Sequence, residues 1–308
     1  MKLLRGLSVL TVMMLGVIVL QMYGDRQALH LPWYLLHQII LALVPMVWLL
    51  REVLPRLPAS GRLAFITTSA FFISTSAVFE LIAIHHRYWW FFTDVDTLSG
   101  LKIGAVPLEE FIFYPLFLNL PMLFFLWLEP VVSDPAERAD RPTVRKVLYA
   151  LSGLFALLAG VTVAVGLLTH EPVLDPALSP SIGADGALRY AAGPKQCGWT
   201  MVQLLGLAGL AFFVARLWTR LPARRTLLTV LAYFPFALFV ELMACGRGWW
   251  VWNERQVLGA FTWILPVESY SMYLTGALLP PLFYLWIGPW FSGSDSSATP
   301  ASPPPTAS

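Results

Sequence analysis

Eight stretches of this chain stay apolar for about twenty residues, and no other feature limits its fold so tightly. They fall at roughly residues 3–22, 31–50, 62–85, 104–128, 147–168, 198–219, 226–245 and 261–287. With about 1.5 Å of rise per residue, a helix of about twenty residues crosses the roughly 30 Å hydrocarbon core of a bilayer. Lipid offers no water to backbone N–H and C=O groups, so each run must pair its own polar groups as a helix. The expected fold class is an all-α integral membrane protein of about eight transmembrane helices. Composition agrees, since charged residues are 12% of the 308, about half their share in a soluble domain.

Lys and Arg fall unevenly over the connections. Thirteen lie on one side, from Lys2 and Arg5 through Arg145 and Lys146 to Arg225, and seven on the other, among them Arg26, Lys102 and Arg255. The positive-inside rule makes the first side cytoplasmic, with both termini inside a multi-pass protein of the cell membrane. The opening Lys2–Leu20 resembles a secretory signal but lacks a small-x-small cleavage site, so it reads as a first span. The expected organisation is a first membrane repeat over 1–130, a cytoplasmic linker over 131–146, a second membrane repeat over 147–291 and a tail over 292–308. That tail has no apolar content to offset its ordering entropy and is expected to be disordered. His170–Gln196, the longest connection, reads as an outer loop able to act as a lid.

Several function classes drop out. Acids and bases nearly balance at a formal charge of +2, and without a basic stripe nucleic acid is not a partner. Two cysteines exclude a disulfide scaffold and a Cys-rich metal site. Cys197 and Cys245 both fall at outer helix ends and read as free thiols, with pairing in an oxidising compartment as the alternative. Neither G-x-G-x-x-G nor G-K-[ST] occurs, so no dinucleotide or ATP is expected. His85, His86 and Arg87 suit interfacial anchors better than metal ligands. The expectation is no cofactor and no metal. Asn119 reads as interhelical hydrogen-bond glue.

Two segments of the chain are alike. Phe79-Glu80-Leu81-Ile82-Ala83, then Trp89-Trp90, then Pro107-Leu108-Glu109-Glu110 align with Val240-Glu241-Leu242-Met243-Ala244, then Trp249-Trp250, then Pro266-Val267-Glu268-Ser269. The offsets are 161 at the first Glu, 160 at the Trp pair and 159 at Pro-x-Glu. Such a repeat divides the helices into four plus four. An even number of spans per half makes the repeats parallel, related by an axis along the membrane normal. Glu80 and Glu241 then lie about one turn inside the outer ends of the third and seventh helices, at the same depth as the Pro-x-Glu starts.

Pro107 followed by Glu109 and Glu110 is also simply a good helix start, because Pro suits the first position and acids suit the positive end of the helix dipole. Its duplication, each time with an acid at helix depth, favours function. A carboxylate inside a span costs about 2.5–3.5 kcal/mol and usually faces the protein interior. The aromatics Trp89, Trp90, Trp249 and Trp250, with Tyr88, Phe91, Phe92 and Trp252, form either an ordinary interfacial belt or a π-lined pocket that stabilises a cation.

These residues resemble those of the membrane-embedded lycopene cyclases, whose two homologous subunits or fused domains each carry Pro-x-Glu-[Glu/Asp] after a Trp-containing outer loop. Pro107-Leu108-Glu109-Glu110, followed by Phe111 and Phe113, matches that signature, and Pro266-Val267-Glu268 matches it in part. The resemblance covers about 30–130 and about 195–290. It departs at Ser269, at Glu80 and Glu241 where many members carry Asp, and in an extra helix before each half. The resemblance implies cyclisation of the linear ends of lycopene to β-rings with no net redox change and no flavin-binding fold, so the partners would be a carotenoid substrate and the lipid bilayer.

Proton-initiated cyclisation needs an acid for a terminal alkene, a dry pocket and a base for the ring cation. Burial and a neighbouring carboxylate both help a carboxyl keep its proton. Glu109 beside Glu110, with Glu80 in reach, makes such a coupled set. Glu109 is the expected acid, Glu80 or Glu110 shares its proton, and Trp89, Trp90 and Tyr114 shield the cation. Glu268 with Glu241, beside Trp249 and Trp250, serves a second half-site or completes a shared one. The alternatives are a carotenoid hydratase, in which water quenches the same cation, and a proton-coupled transporter, which intramembrane acids in parallel repeats also suit.

Overall fold

The computed structural model describes residues 2–26, 32–85, 89–91, 98–104, 106–134, 139–168, 181–182, 188–189, 197–246, 249–253 and 255–292. Among these the chain forms eight long helices: α1 (Lys2–Arg26), α2 (Trp33–Arg56), α3 (Ala59–His85), α4 (Leu108–Trp127), α5 (Pro142–Leu168), α6 (Gly198–Leu217), α7 (Ala223–Gly246) and α8 (Val267–Ser292). Six of them, α2 to α7, contain a stretch long and apolar enough to cross a membrane. The apolar part of α1 is Thr11–Gly24, and α8 is interrupted by Pro280, Pro281 and Pro289. The protein is an all-α membrane protein of two parallel repeats, whose duplicated anchors lie on α3–α4 and α7–α8.

Two helices start later than hydropathy alone indicates, α4 at Leu108 and α8 at Val267. The apolar residues before them form hairpins, β2 (Lys102–Ile103) with β3 (Val106–Pro107) and β7 (Phe261–Thr262) with β8 (Leu265–Pro266). Their tight turns need a left-handed residue. Gly104 supplies it at φ +63, whereas Trp263 adopts φ +58 with its ring 84% exposed. Within α2 the turn Ile39–Leu43 widens to a π-helix just before Pro45, whose missing N–H cannot bond the Leu41 carbonyl.

Each repeat also sends a tryptophan strand toward the other. β1 (Trp89–Phe91) pairs antiparallel with β6 (Trp250–Trp252) in the register Trp89 to Trp252, Trp90 to Val251 and Phe91 to Trp250. This pairing maps onto itself at an offset of 161, which places Trp90 and Val251 on the pseudo-twofold axis. The expected match of Trp89 with Trp249 is therefore out by one, and Trp250 is the counterpart of Trp89. The end of the bundle that carries these strands is termed the motif end.

The core lies where α8 meets α3, α4, α6 and α7, filled by residues such as Leu123, Phe236, Ala237, Ala277 and Leu282. Pro121 cannot donate to the Phe117 carbonyl one turn back, and Tyr233 from the other repeat donates to it instead at 3.1 Å. At the far end Asp134 accepts from the Arg224 and Arg225 N–H groups at 2.8 and 3.2 Å, holding the start of α7. α5 packs on α6 and is otherwise lipid-facing, with 6% of its apolar stretch buried.

Apart from the short antiparallel pair Ser181–Ile182 and Leu188–Arg189, the proposed lid His170–Gln196 lies outside the described residues. So do His86, Arg87, Tyr88, Phe92 and the tail beyond Ser292. Neither Cys197 nor Cys245 forms a disulfide among the described residues.

Candidate active site

Five carboxyl side chains are buried near the motif end, none more than 4% exposed: Glu80, Glu109, Glu110, Glu241 and Glu268. Among the described residues no cation pairs with Glu109, Glu110, Glu241 or Glu268. The five divide into three structural kinds.

Glu109 and Glu268 are twins. Pro107 and Pro266 set the chain for helix entry, and the hairpins bring the preceding loop back beside the first turn. The Ser99 N–H donates to Glu109 Oε1 at 2.5 Å, and the Leu258 N–H donates to Glu268 Oε1 at 2.7 Å. Leu108 N–H to Leu101 O and Val267 N–H to Ala260 O, both 2.9 Å, complete the match. In each half the Pro-x-Glu carboxyl thus latches a loop to a helix start. Thr200 Oγ1 adds a bond to Glu268 at 2.6 Å, and Gln38 Nε2 donates to the Glu109 carbonyl at 3.0 Å. Glu109 Oε2 and Glu268 Oε2 are buried with no hydrogen-bond partner among the described residues.

Glu80 and Glu241 are also twins. Tyr114 of α4 donates its hydroxyl to Glu80 of α3, and Tyr273 of α8 donates to Glu241 of α7. Glu241 accepts further from Trp252 Nε1 at 2.9 Å and Trp250 Nε1 at 3.5 Å, with Cys245 Sγ at 3.8 Å. Four donors converge on it, the arrangement that suits a carboxyl acting as acceptor.

Glu110 has no twin. Its counterpart is Ser269, fully buried with no partner for its hydroxyl among the described residues. Tyr34 of α2 donates to Glu110 Oε1, and Glu110 lies within electrostatic reach of Glu80, Glu241 and Glu109.

A cavity of about 250 Å³ lies between the repeats. Glu110 opens onto it from the first repeat and Glu241 from the second, with Tyr34, Tyr114 and Tyr273 beside them. Trp199, Trp250 and Trp252 wall it at the motif end. Their faces are fixed by ring contacts, Tyr34 on Trp250 and Trp199 on Trp252, each with centroids 5.2 Å apart. Among the described residues no three His, Cys, Asp or Glu side chains group as a metal site would require.

Of the residues expected from sequence, Glu110, Glu241, Tyr114 and Trp250 thus line one cavity, and Glu80 joins it through Tyr114. Glu109 and Glu268 sit at the loops, off the cavity wall. Trp249 stands behind the wall, 4.8 Å from the His37 ring and 5.4 Å from Tyr34. Trp89 and Trp90 are described by backbone alone. Sequence reasoning missed Tyr34, Tyr273 and Trp199. Tyr273 was findable, because it repeats Tyr114 at the Pro-x-Glu offset of 159. Tyr34 lies 76 residues from Glu110 and carries no comparable mark.

Fold and site together define a class: multi-pass helical membrane proteins of two parallel repeats enclosing one acid-lined, aromatic-walled cavity. Within it, residues 31–128 and 198–287 match the lycopene cyclase family, and since that is more than half of its length the chain belongs to that family. The matched regions hold α2–α4 and α6–α8 and leave out α1 and α5. No curated protein and no solved structure matches the chain. Membership supports lycopene cyclase activity and a hydrophobic isoprenoid substrate in a lipid environment.

Proposed function

We propose that the protein is a lycopene β-cyclase working by proton-initiated cyclisation in this single cavity, with Glu110 as the acid. The observation that carries the reading is that Glu110 and Glu241, from different repeats, face one aromatic-walled space. Glu110 and Glu241 have no cation beside them among the described residues, and uncompensated carboxylates are costly in an apolar interior, so this pair is taken to hold at least one proton.

The Glu110 proton adds to the terminal double bond of the substrate and leaves a tertiary cation. The next suitably placed double bond attacks that cation, closing a six-membered ring and carrying the charge into it. Glu241, or Glu80 through its contact with Tyr114, takes the proton from the neighbouring ring carbon, whose electrons form the ring double bond. One proton enters and one leaves, so the product is an isomer of the substrate. Trp250, Trp252 and Trp199 stabilise the cation through their ring faces. Glu109 and Glu268 act as positioning residues. The lysine and arginine distribution supports a motif end that lies outside and termini that both lie inside.

Expression in lycopene-accumulating cells, followed by pigment analysis, tests this. Wild-type protein and Glu109→Gln should yield cyclic carotene and Glu110→Gln should not. A hydroxylated linear product would support a hydratase instead, and unaltered lycopene with the wild-type protein would remove the cyclase reading.

A further inference from the structure

The cavity is walled unequally on its two sides. α3 contributes Phe72, Ser76 and Phe79, and α6 contributes Val202 and Gly206 beside the buried Trp199 and Gln203; the three α3 residues, Val202 and Gly206 are only half-buried. At the offset of 161, the counterparts of the α3 residues are Tyr233, Ala237 and Val240 on α7, exposed by 7%, 0% and 3%. The crevice that duplication would create twice is therefore closed beside α7 and open beside α3. Its flanks face lipid, with Val78 58% and Leu205 50% exposed.

Aromatic rings bound this opening at both ends. Toward the motif end Phe79 packs on Trp199 at 5.5 Å. Deeper in the bundle Phe72 and Phe213 both pack edge-on against Phe283 of α8, at 5.7 and 6.0 Å. Between the clamps the lining positions are small, Ser76 on α3 and Gly206 on α6, the latter packed against Thr275 of α8. Pockets that enclose a whole drug-sized ligand run about 300–1,000 Å³, so a cavity of about 250 Å³ takes an end group and not a long linear polyene. The remainder must leave through an opening. A gap facing lipid suits it, because acyl chains are as apolar as the polyene and nothing polar need be stripped of water.

We propose that the substrate enters sideways from the bilayer through this window between α3 and α6, and that one end is held at a time with the rest of the polyene lying out in lipid. The inference rests on the cyclase reading of the cavity. A second ring then requires release and re-entry in the reverse direction, so monocyclic carotene is a free intermediate.

The test compares wild-type protein with Ser76→Trp and Val202→Trp, which fill the window, and with Leu231→Trp on the lipid face of α7, where the wild-type residue is 59% exposed. Two quantities are read: lycopene retained by protein purified from lycopene-containing membranes, and the rate of ring formation. Filling the window should lower both by roughly ten-fold, as overpacking by 1–3 kcal/mol implies, and Leu231→Trp should change neither. The series Ser76→Ala, Ser76→Val and Ser76→Phe covers a Trp variant that fails to fold, and its losses should follow side-chain volume. Unchanged retention across the series, or a wild-type protein that retains no lycopene, overturns the window. Retention that falls along the series while wild-type protein forms no ring leaves the window standing and removes the cyclase reading. In a time course, bicyclic product with no free monocyclic carotene before it overturns docking by one end.

Discussion

In both repeats a Pro-x-Glu carboxyl holds a loop N–H, and in both a helix-borne glutamate holds a tyrosine hydroxyl: Glu109 with Glu268, and Glu80 with Glu241. One residue beyond the latch the repeats part, for Glu110 faces the cavity where Ser269 is only a buried hydroxyl. They part again along the crevices, open beside α3 and closed beside α7. What duplication kept alike is architecture, and what it let differ is where an acid and an apolar chain can be placed. On the proposed reading a site shared by two halves needs only one acid and one entrance, so the second of each is free to be lost.

Five measurements sharpen or break this contrast. The largest effect is expected from Glu110→Gln, which should slow ring formation by about 10²–10⁴-fold, the usual contribution of a general acid, with an unchanged yield of folded protein. Moving the carboxyl across, as Glu110→Ser with Ser269→Glu, should not restore product, and restoration would show that the halves are chemically interchangeable. Next come Tyr114→Phe and Tyr273→Phe, each removing one donor from a buried carboxyl. A bond of about 1.5–3 kcal/mol to a charged group predicts losses of roughly ten-fold or more in rate, and an unequal pair of values identifies the half whose glutamate receives the ring proton.

The latches should act on stability. Glu109→Ala and Glu268→Ala are each expected to cost about 1–3 kcal/mol, read from thermal unfolding in detergent. Glu268→Ala should be the larger because Thr200 loses its acceptor too. The rate per folded molecule should hold for both, and its collapse in Glu109→Ala would return the acid to Glu109. The smallest effect is expected from Tyr233→Phe, which frees the Phe117 carbonyl beside Pro121 at a cost of about 0.6 kcal/mol, the average for such bonds between membrane helices.

Helix number, repeat and depth of the acids were legible in the linear chain, because each depends on local hydropathy or on matched spacing. The eight apolar runs became eight helices, and the anchors at Glu80 and Glu241 and at Pro107 and Pro266 define equivalent positions. The strand register was not legible. Gly248-Trp249-Trp250 offers two tryptophans for alignment, and only the ladder with β1 selects Trp250.

The choice between Glu109 and Glu110 lay further out of reach. Adjacent helical residues point about 100° apart, so one of the two must turn from the cavity, and the rotation of α4 decides which. That rotation is set by distant packing: Gln38 on the Glu109 carbonyl, Tyr34 on Glu110, and the hairpin behind Ser99. The open and closed crevices arise in the same way, since Ser76 and Ala237 are both small and only the helices packed against them leave one near lipid and bury the other. Apolar length and repeated spacing are properties of a segment and can be read along it. Which face of a helix meets which neighbour belongs to the assembled bundle, and there it was decided that Glu110 and not Glu109 lines the cavity, that Tyr34 holds it, and that the α3 side stays open.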